Sequence, residues 1–255
     1  MKIVSSNNKA IILKNNLVVG YLLAGYPSSE SFFKVVRDCN QTELDIYEIG
    51  FPSTNPFADG EIIRSAHNMV DTVTCQDIQY WKRLREVATK PVWLMAYYKD
   101  FIESKIYMEF AKSNVMDAIV IPDMEVIERI SLAKELAPYH VDVLGFVNPS
   151  MPEEEMRFCF ENFPLVYAQL HVGQTGCQTA EDVHQKMLQI SLEYKNTTTF
   201  AGFGINTSER VRQLFSQGFQ GAIIGTAMLK NLNISTQALI EYIKELNKVE
   251  LLGRE

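Results

Sequence analysis

Nothing in this sequence reads as a metal site or a disulfide framework. The four cysteines, Cys39, Cys75, Cys159 and Cys177, are scattered and form no CxxC pair, so neither a bridge network nor a zinc ligand set follows from them. The four histidines, His67, His140, His171 and His184, lack HExxH or any comparable ligand spacing. No apolar run approaches the ~20 residues of a membrane-spanning helix. A basic surplus is missing too. The formal net charge of −7 argues against nucleic acid or an anionic membrane as the main partner. It leaves room for a small anionic ligand, because backbone dipoles act locally. The first residues, Met1 to Lys14, carry polar Ser5-Ser6-Asn7-Asn8 instead of the basic start, apolar centre and small-residue cleavage site of a secretory leader. With unpaired cysteines, this predicts a reduced, cytoplasmic protein. No Pro/Gly/Ser-rich linker or low-complexity tract interrupts residues 1–255, which predicts a single domain.

What is present is alternation. A composition of 47% hydrophobic and 22% charged residues supports a sizeable buried core. Short apolar runs rich in β-branched residues predict strands at Leu17–Leu23, Asp45–Glu48, Val92–Ala96, Ala118–Ile121, Val143–Val147, Val166–Leu170, Thr198–Ala201 and Ala222–Ile224. Near-continuous apolar runs such as AIVI at 118–121 suit a parallel sheet covered on both faces. Between them run segments of helical period. Pro27-Ser28-Ser29-Glu30 opens one, with Phe33, Val36 and Cys39 inward. Thr179 caps another, carrying Val183, Met187, Leu188 and Ser191. Asn206 with Glu209 reads as a capping box ahead of Val211, Leu214 and Phe215. Eight such units predict an α/β fold, a TIM (β/α)8 barrel, with a doubly wound open sheet as the alternative.

In a barrel, chemistry belongs to the loops after strand C-termini. Gly202-Phe203-Gly204-Ile205 follows the seventh predicted strand and Gly225-Thr226-Ala227 the eighth. Glycines there let backbone N–H groups approach an anion, and a following helix adds its dipole. Such glycines also simply make turns, but paired at these two strand ends they point to a phosphate. Gly173-Gln174-Thr175-Gly176, after the sixth strand, is placed to close over the same ligand. The second strand leads into Glu48-Ile49-Gly50-Phe51-Pro52-Ser53-Thr54-Asn55-Pro56-Phe57-Ala58-Asp59-Gly60. An acid at the end of an apolar strand needs a task or a partner, and burial would lift Glu48 toward the range of a general acid or base. Asp59 lies in a Pro/Gly-punctuated loop able to swing over the barrel mouth. The plain readings are a satisfied strand-end carboxylate for Glu48 and an Asx turn for Asp59.

Over nearly its full length the chain resembles the tryptophan synthase α-subunit family. That family's signature, Glu-x-Gly-x-Pro-Phe-Ser-Asp-Pro-x-Ala-Asp-Gly, meets EIGFPSTNPFADG here, with Glu48, Gly50, Pro52, Pro56, Ala58, Asp59 and Gly60 at identical spacing. AGYP at 24–27, MAYY at 95–98, IPD at 121–123, the Gly173–Gly176 loop, GFGI at 202–205 and GTAM at 225–228 match in order. The resemblance implies a retro-aldol cleavage of indole-3-glycerol phosphate to indole and glyceraldehyde 3-phosphate, with no metal or organic cofactor. It assigns Glu48 as general acid/base and Asp59 as the charge on the indole N–H. Tyr167 would position the substrate, Thr175 would anchor the closed loop against the Asp59 loop, and Gly176, Gly204, Gly225 and Thr226 would contact the phosphate. It also implies a tryptophan synthase β subunit as partner in an α2β2 assembly.

The sequence departs from the family in three places, the first of them in the loop that in the family touches the β subunit. Ser53-Thr54-Asn55 stands in place of Phe-Ser-Asp, Asn40-Gln41-Thr42-Glu43-Leu44-Asp45 lacks the small-residue turn before the second strand, and Met124-Glu125-Val126 replaces a Leu-Pro run. These changes imply weakened coupling to a β subunit. A stand-alone lyase on a related phosphate ester and a non-catalytic regulatory phosphate-binding barrel are the alternatives. Other phosphate-binding barrels, such as isomerases or prenyl-glyceryl-phosphate synthases, do not require this Glu48–Asp59 pair.

Overall fold

A computed structural model describes residues 1–170 and 185–247. The strands are β1 Leu17–Leu23, β2 Ile46–Gly50, β3 Val92–Met95, β4 Ala118–Val120, β5 Asp142–Val143, β6 Gly145–Val147, β7 Leu165–Gln169, β8 Thr198–Gly202 and β9 Gly221–Ile224. All pairings are parallel, in the order β5-β4-β3-β2-β1-β9-β8-β7-β6. The two ends of that order are neighbours in the chain, separated only by Leu144. Its N–H donates to Ile119 O at 3.1 Å, while Gly145 already registers with Val166 on the other side. The ring therefore closes through one broken strand. The fifth of the eight expected strands is what divides into β5 and β6, and the (β/α)8 barrel stands. Helix Glu153–Asn162 packs close at the break, where a Cβ on Gly145 would meet Cys159 Sγ at 2.7 Å.

The outer helices follow their apolar stripes. Helix Ser29–Cys39 starts where Ser28 Oγ accepts the Ser31 N–H, and buries Phe32 and Val35 beside the expected Phe33, Val36 and Cys39. Helix Ser208–Gln217 is capped by Thr207, not Asn206: Thr207 Oγ1 accepts the Arg210 N–H at 3.2 Å. A threonine one residue later makes the same N-cap bond. Val211 and Leu214 are buried, and Phe215 only half so. Met187, Leu188 and Ser191 are buried on helix Gln185–Glu193. Its expected cap Thr179 and Val183 lie outside the described residues.

Period-two alternation sends one face of each strand into the barrel. Leu17, Val19, Ile46, Trp93, Leu165 and Phe200 fill its lower interior, with Trp93 and Phe200 edge to face at 4.8 Å. Helix Ser6–Ile11 closes the floor. Asn8 accepts from Trp93 Nε1 and donates to Asp142 Oδ2 and Asp117 O, at 2.8–3.1 Å. This plug satisfies the buried polar groups at the strand N-termini. It leaves the opposite end as the only open mouth of the barrel among the described residues.

Candidate active site

Alternation fixes the acid first. Ile46 faces the barrel interior, so Glu48, two residues on in β2, faces it too. Glu48 is not at the strand's end, as the sequence implied, but at its centre and 3% exposed. Its neighbour across the register is Tyr21 of β1. The Tyr21 ring leans over Gly50, where a Cβ would lie 2.2 Å from the phenol oxygen. Across the barrel Tyr167, at the centre of β7, leans in the same way over Gly202, at 2.3 Å. Its ring lies 5.1 Å from Phe146 and 6.2 Å from Phe203. Glycine at 50 and 202 is thus what lets two tyrosines lie flat and wall the mouth.

A cavity of about 410 Å³ opens there, lined by Tyr21, Glu48, Asp59, Tyr167, Gly204, Gly225 and Thr226 among others. Six residues singled out in the sequence therefore converge on one space. Thr175 and Gly176 lie outside the described residues. The size is that of a pocket for a small organic molecule. Apolar Ile63, Val120, Phe146 and Ile223 share the lining with the polar groups.

The electrostatics follow from burial. Among the described residues Glu48 Oε1 has no hydrogen-bond partner. Desolvation, with Asp59 adding repulsion, pushes its carboxyl up to about 8. Near neutrality Glu48 holds its proton. Asp59 is 3% exposed rather than swinging free. Burial raises it to about 6, against the Tyr97 O–H, which donates to Asp59 Oδ2 at 2.8 Å, and against the field of Arg64. At neutral pH Asp59 is mainly the anion. The two carboxyls thus hold opposite protonation states in one cavity, the division of labour that acid/base chemistry needs.

The sequence reading gave no role to Tyr97 or His67, nor to Tyr21, Phe146 and Lys230 of the cavity lining. Tyr97 belonged to the MAYY match but had no role assigned; its hydroxyl now fixes Asp59. His67, the last residue of helix Glu61–His67, lies 3.7 Å from Asp59 Oδ2 through Nε2 and accepts the Ser53 N–H at Nδ1. No motif marks it; it lies eight residues past Asp59, at the end of the helix that begins at Glu61. Asp123 accepts the Tyr98 N–H at 2.9 Å and braces the loops after β3 and β4.

The glycine junctions divide in character. Phe203 and Gly204 both hold left-handed φ, 73° and 72°, turning the chain back over the mouth. The helix after them starts only at Ser208, so its N-terminus is not at Gly204 itself. Helix Thr226–Leu232 begins directly after Gly225. Thr226 lines the cavity, and its Oγ1 is buried with no partner among the described residues. An unmet buried hydroxyl facing a cavity is a free donor for a ligand oxygen. Lys230 and Asn231 also reach the lining, so a cation stands by the glycines that the motifs alone lack.

The family described as "Tryptophan synthase alpha chain" matches residues 8–252. A protein of that name from Arabidopsis thaliana is 28% identical over 227 residues, covering 86% of this chain and 82% of the relative. Another from Campylobacter jejuni is 26% identical over 242 residues, covering 91% and 97%. Among solved structures, a chain of Mycobacterium tuberculosis tryptophan synthase superposes with a TM-score of 0.80 at 20% identity, covering 93% of each chain. A tryptophan synthase α-subunit from Pyrococcus furiosus gives 0.79 at 20% identity, covering 91% and 98%. These structures share this chain's fold.

Proposed function

This chain belongs to the tryptophan synthase alpha chain family, a family of lyases, and on that premise we propose that it cleaves indole-3-glycerol phosphate to indole and glyceraldehyde 3-phosphate. The observation that carries the reading is the buried pair, Glu48 protonated and Asp59 ionised, facing one apolar-walled cavity.

Glu48 gives its proton to indole C3, breaking the ring's aromaticity and forming an indolenine cation. Asp59 opposes that charge at the ring N–H, where a fixed anion in a water-poor site is most effective. The ionised Glu48 carboxylate then takes the proton of the glyceryl hydroxyl next to the bond being broken. The carbon–carbon bond cleaves, its electron pair returns to the ring, and the hydroxyl carbon leaves as the aldehyde. Protons and electrons balance without a further reactant. Tyr21, Phe146 and Tyr167 hold the indole plane. Backbone N–H groups around Gly204 and Gly225, with the Thr226 hydroxyl, hold the phosphate.

Coupling to a β subunit is weaker in this chain than the family resemblance implies. Ser53 is buried and its Oγ accepts the Asn55 N–H, so this stretch offers a partner only Thr54 and Asn55, both exposed and polar. Phe57, 51% exposed and 4.9 Å from the Tyr97 ring, is the aromatic group left on the loop. The experiment is incubation of the purified chain with indole-3-glycerol phosphate, with indole and glyceraldehyde 3-phosphate quantified together. Equimolar release of both supports the reading; intact substrate at high enzyme concentration, with and without a β subunit, ends it.

A further inference from the structure

Asp59 Oδ2 accepts from the Tyr97 hydroxyl and is approached as well by a histidine that no motif singles out. His67 is 4% exposed. Its Nδ1 accepts the Ser53 N–H at 3.0 Å, so that nitrogen carries the lone pair and the single proton of the neutral ring sits on Nε2. Among the described residues Nε2 has no hydrogen-bond partner, and an acceptor lies nearby: Asp59 Oδ2, 3.7 Å away. A movement of about 0.7 Å would bring the two to ordinary hydrogen-bond distance. Ser53 is the first residue of the stretch Ser53-Thr54-Asn55 that leaves the barrel mouth.

We propose that His67 is a positioning residue for Asp59: the Ser53 N–H fixes the imidazole so that its Nε2–H is presented to the carboxylate, tying the conformation of the 53–55 loop to the site. The inference rests on the role given to Asp59 above. Burial drives the imidazole down to about 4, so the ring stays neutral, and the contact to Asp59 is a directed N–H donor and not an ion pair. The charged and titratable groups around Asp59 are Tyr97 after β3, Glu48 on β2, Arg64 on helix Glu61–His67, and Tyr21 and Tyr167 on the walls. Of these Tyr97 donates to Asp59 and Arg64 favours its anion, while Glu48 competes with it. Removing the His67 donor therefore raises the pH at which Asp59 ionises.

Three variants separate the two nitrogens. His67→Leu removes both contacts. His67→Asn keeps an acceptor near the Nδ1 position for Ser53. His67→Gln keeps a donor near the Nε2 position for Asp59. Two readouts are taken: the acid limb of the kcat–pH profile for indole release, and the titration of the Asp59 carboxyl by carbon-13 NMR, assigned with Asp59→Asn. The expected result is an upward move of the acid limb and of the Asp59 titration by about 1 pH unit in His67→Leu and His67→Asn, with His67→Gln close to wild type. Unchanged titration and limb in both Leu and Asn variants overturns the proposal and leaves His67 as packing. If the wild-type chain releases no indole, the function proposed above fails on its own, while the carboxyl titration still decides the role of His67.

Discussion

Replacing Glu48 by glutamine should raise the stability of the folded chain at neutral pH while slowing its turnover severely. In the unfolded chain the carboxyl titrates near its ordinary 4.5; in the folded chain burial holds it at about 8. Between those values the folded protein keeps a proton that the unfolded chain releases, so wild-type stability falls as pH rises through this window. At pH 7, roughly 2.5 pH units above the ordinary value, the loss comes to about 3 kcal/mol. Glutamine has the shape of the protonated acid and does not titrate, so the variant escapes that loss. Urea denaturation from about pH 5 to pH 8 should show the two proteins nearly alike at the acid end. They should then diverge by about 1.4 kcal/mol per pH unit. A glutamine variant that is less stable at pH 7, or a gap that does not change with pH, would refute the reasoning. Either outcome would mean that Glu48 has a structural partner in place of a catalytic task.

Gly204 holds φ of 72° and lines the cavity, so Gly204→Val should raise KM for the phosphorylated substrate at least about 10-fold while adding backbone strain of about 1–2 kcal/mol; an unchanged KM would remove the phosphate from this loop. Titrating indole release with the cognate β subunit should give little rate gain, because Thr54 and Asn55 supply neither an aromatic anchor nor an acid. A tight complex with a large gain would show that Phe57 or another surface takes their place. His67 should subtract from stability as the pH drops from about 6.5 toward 4, against the opposite Glu48 trend, since it is neutral in the fold and charges when the chain unfolds; the stability of wild type relative to His67→Gln should fall over that window, and a difference that does not change with pH would refute it.

Strand positions were legible because the barrel's strands are buried on both faces and read as unbroken apolar runs. Each expected strand overlaps an observed one, with ends that differ by at most one residue except in β2, which runs two residues further, to Gly50. The break at Leu144 was not legible, since it depends on how closely helix Glu153–Asn162 approaches Gly145. The cap at Thr207 was missed because two adjacent side chains can both make that bond, and tertiary contacts choose between them. At the site, spacing and resemblance named Glu48 and Asp59, and the glycines pointed to the right end of the barrel. The sequence could not place Asp59 under the Tyr97 hydroxyl, 38 residues away. Nor could it set His67 between Ser53 and Asp59, because both contacts arise only when the loop folds back on its own helix. The opposite protonation of the two carboxyls is likewise a product of burial depth, which no motif encodes.

The most direct test of the account is steady-state indole formation from indole-3-glycerol phosphate, measured side by side for wild type, Glu48→Gln and Asp59→Asn, with substrate affinity determined separately for each. The account predicts indole release by wild type. It also predicts losses in kcat on the order of 10²–10⁴ for both variants, with substrate still bound by Glu48→Gln. Near-normal kcat in Glu48→Gln would contradict it.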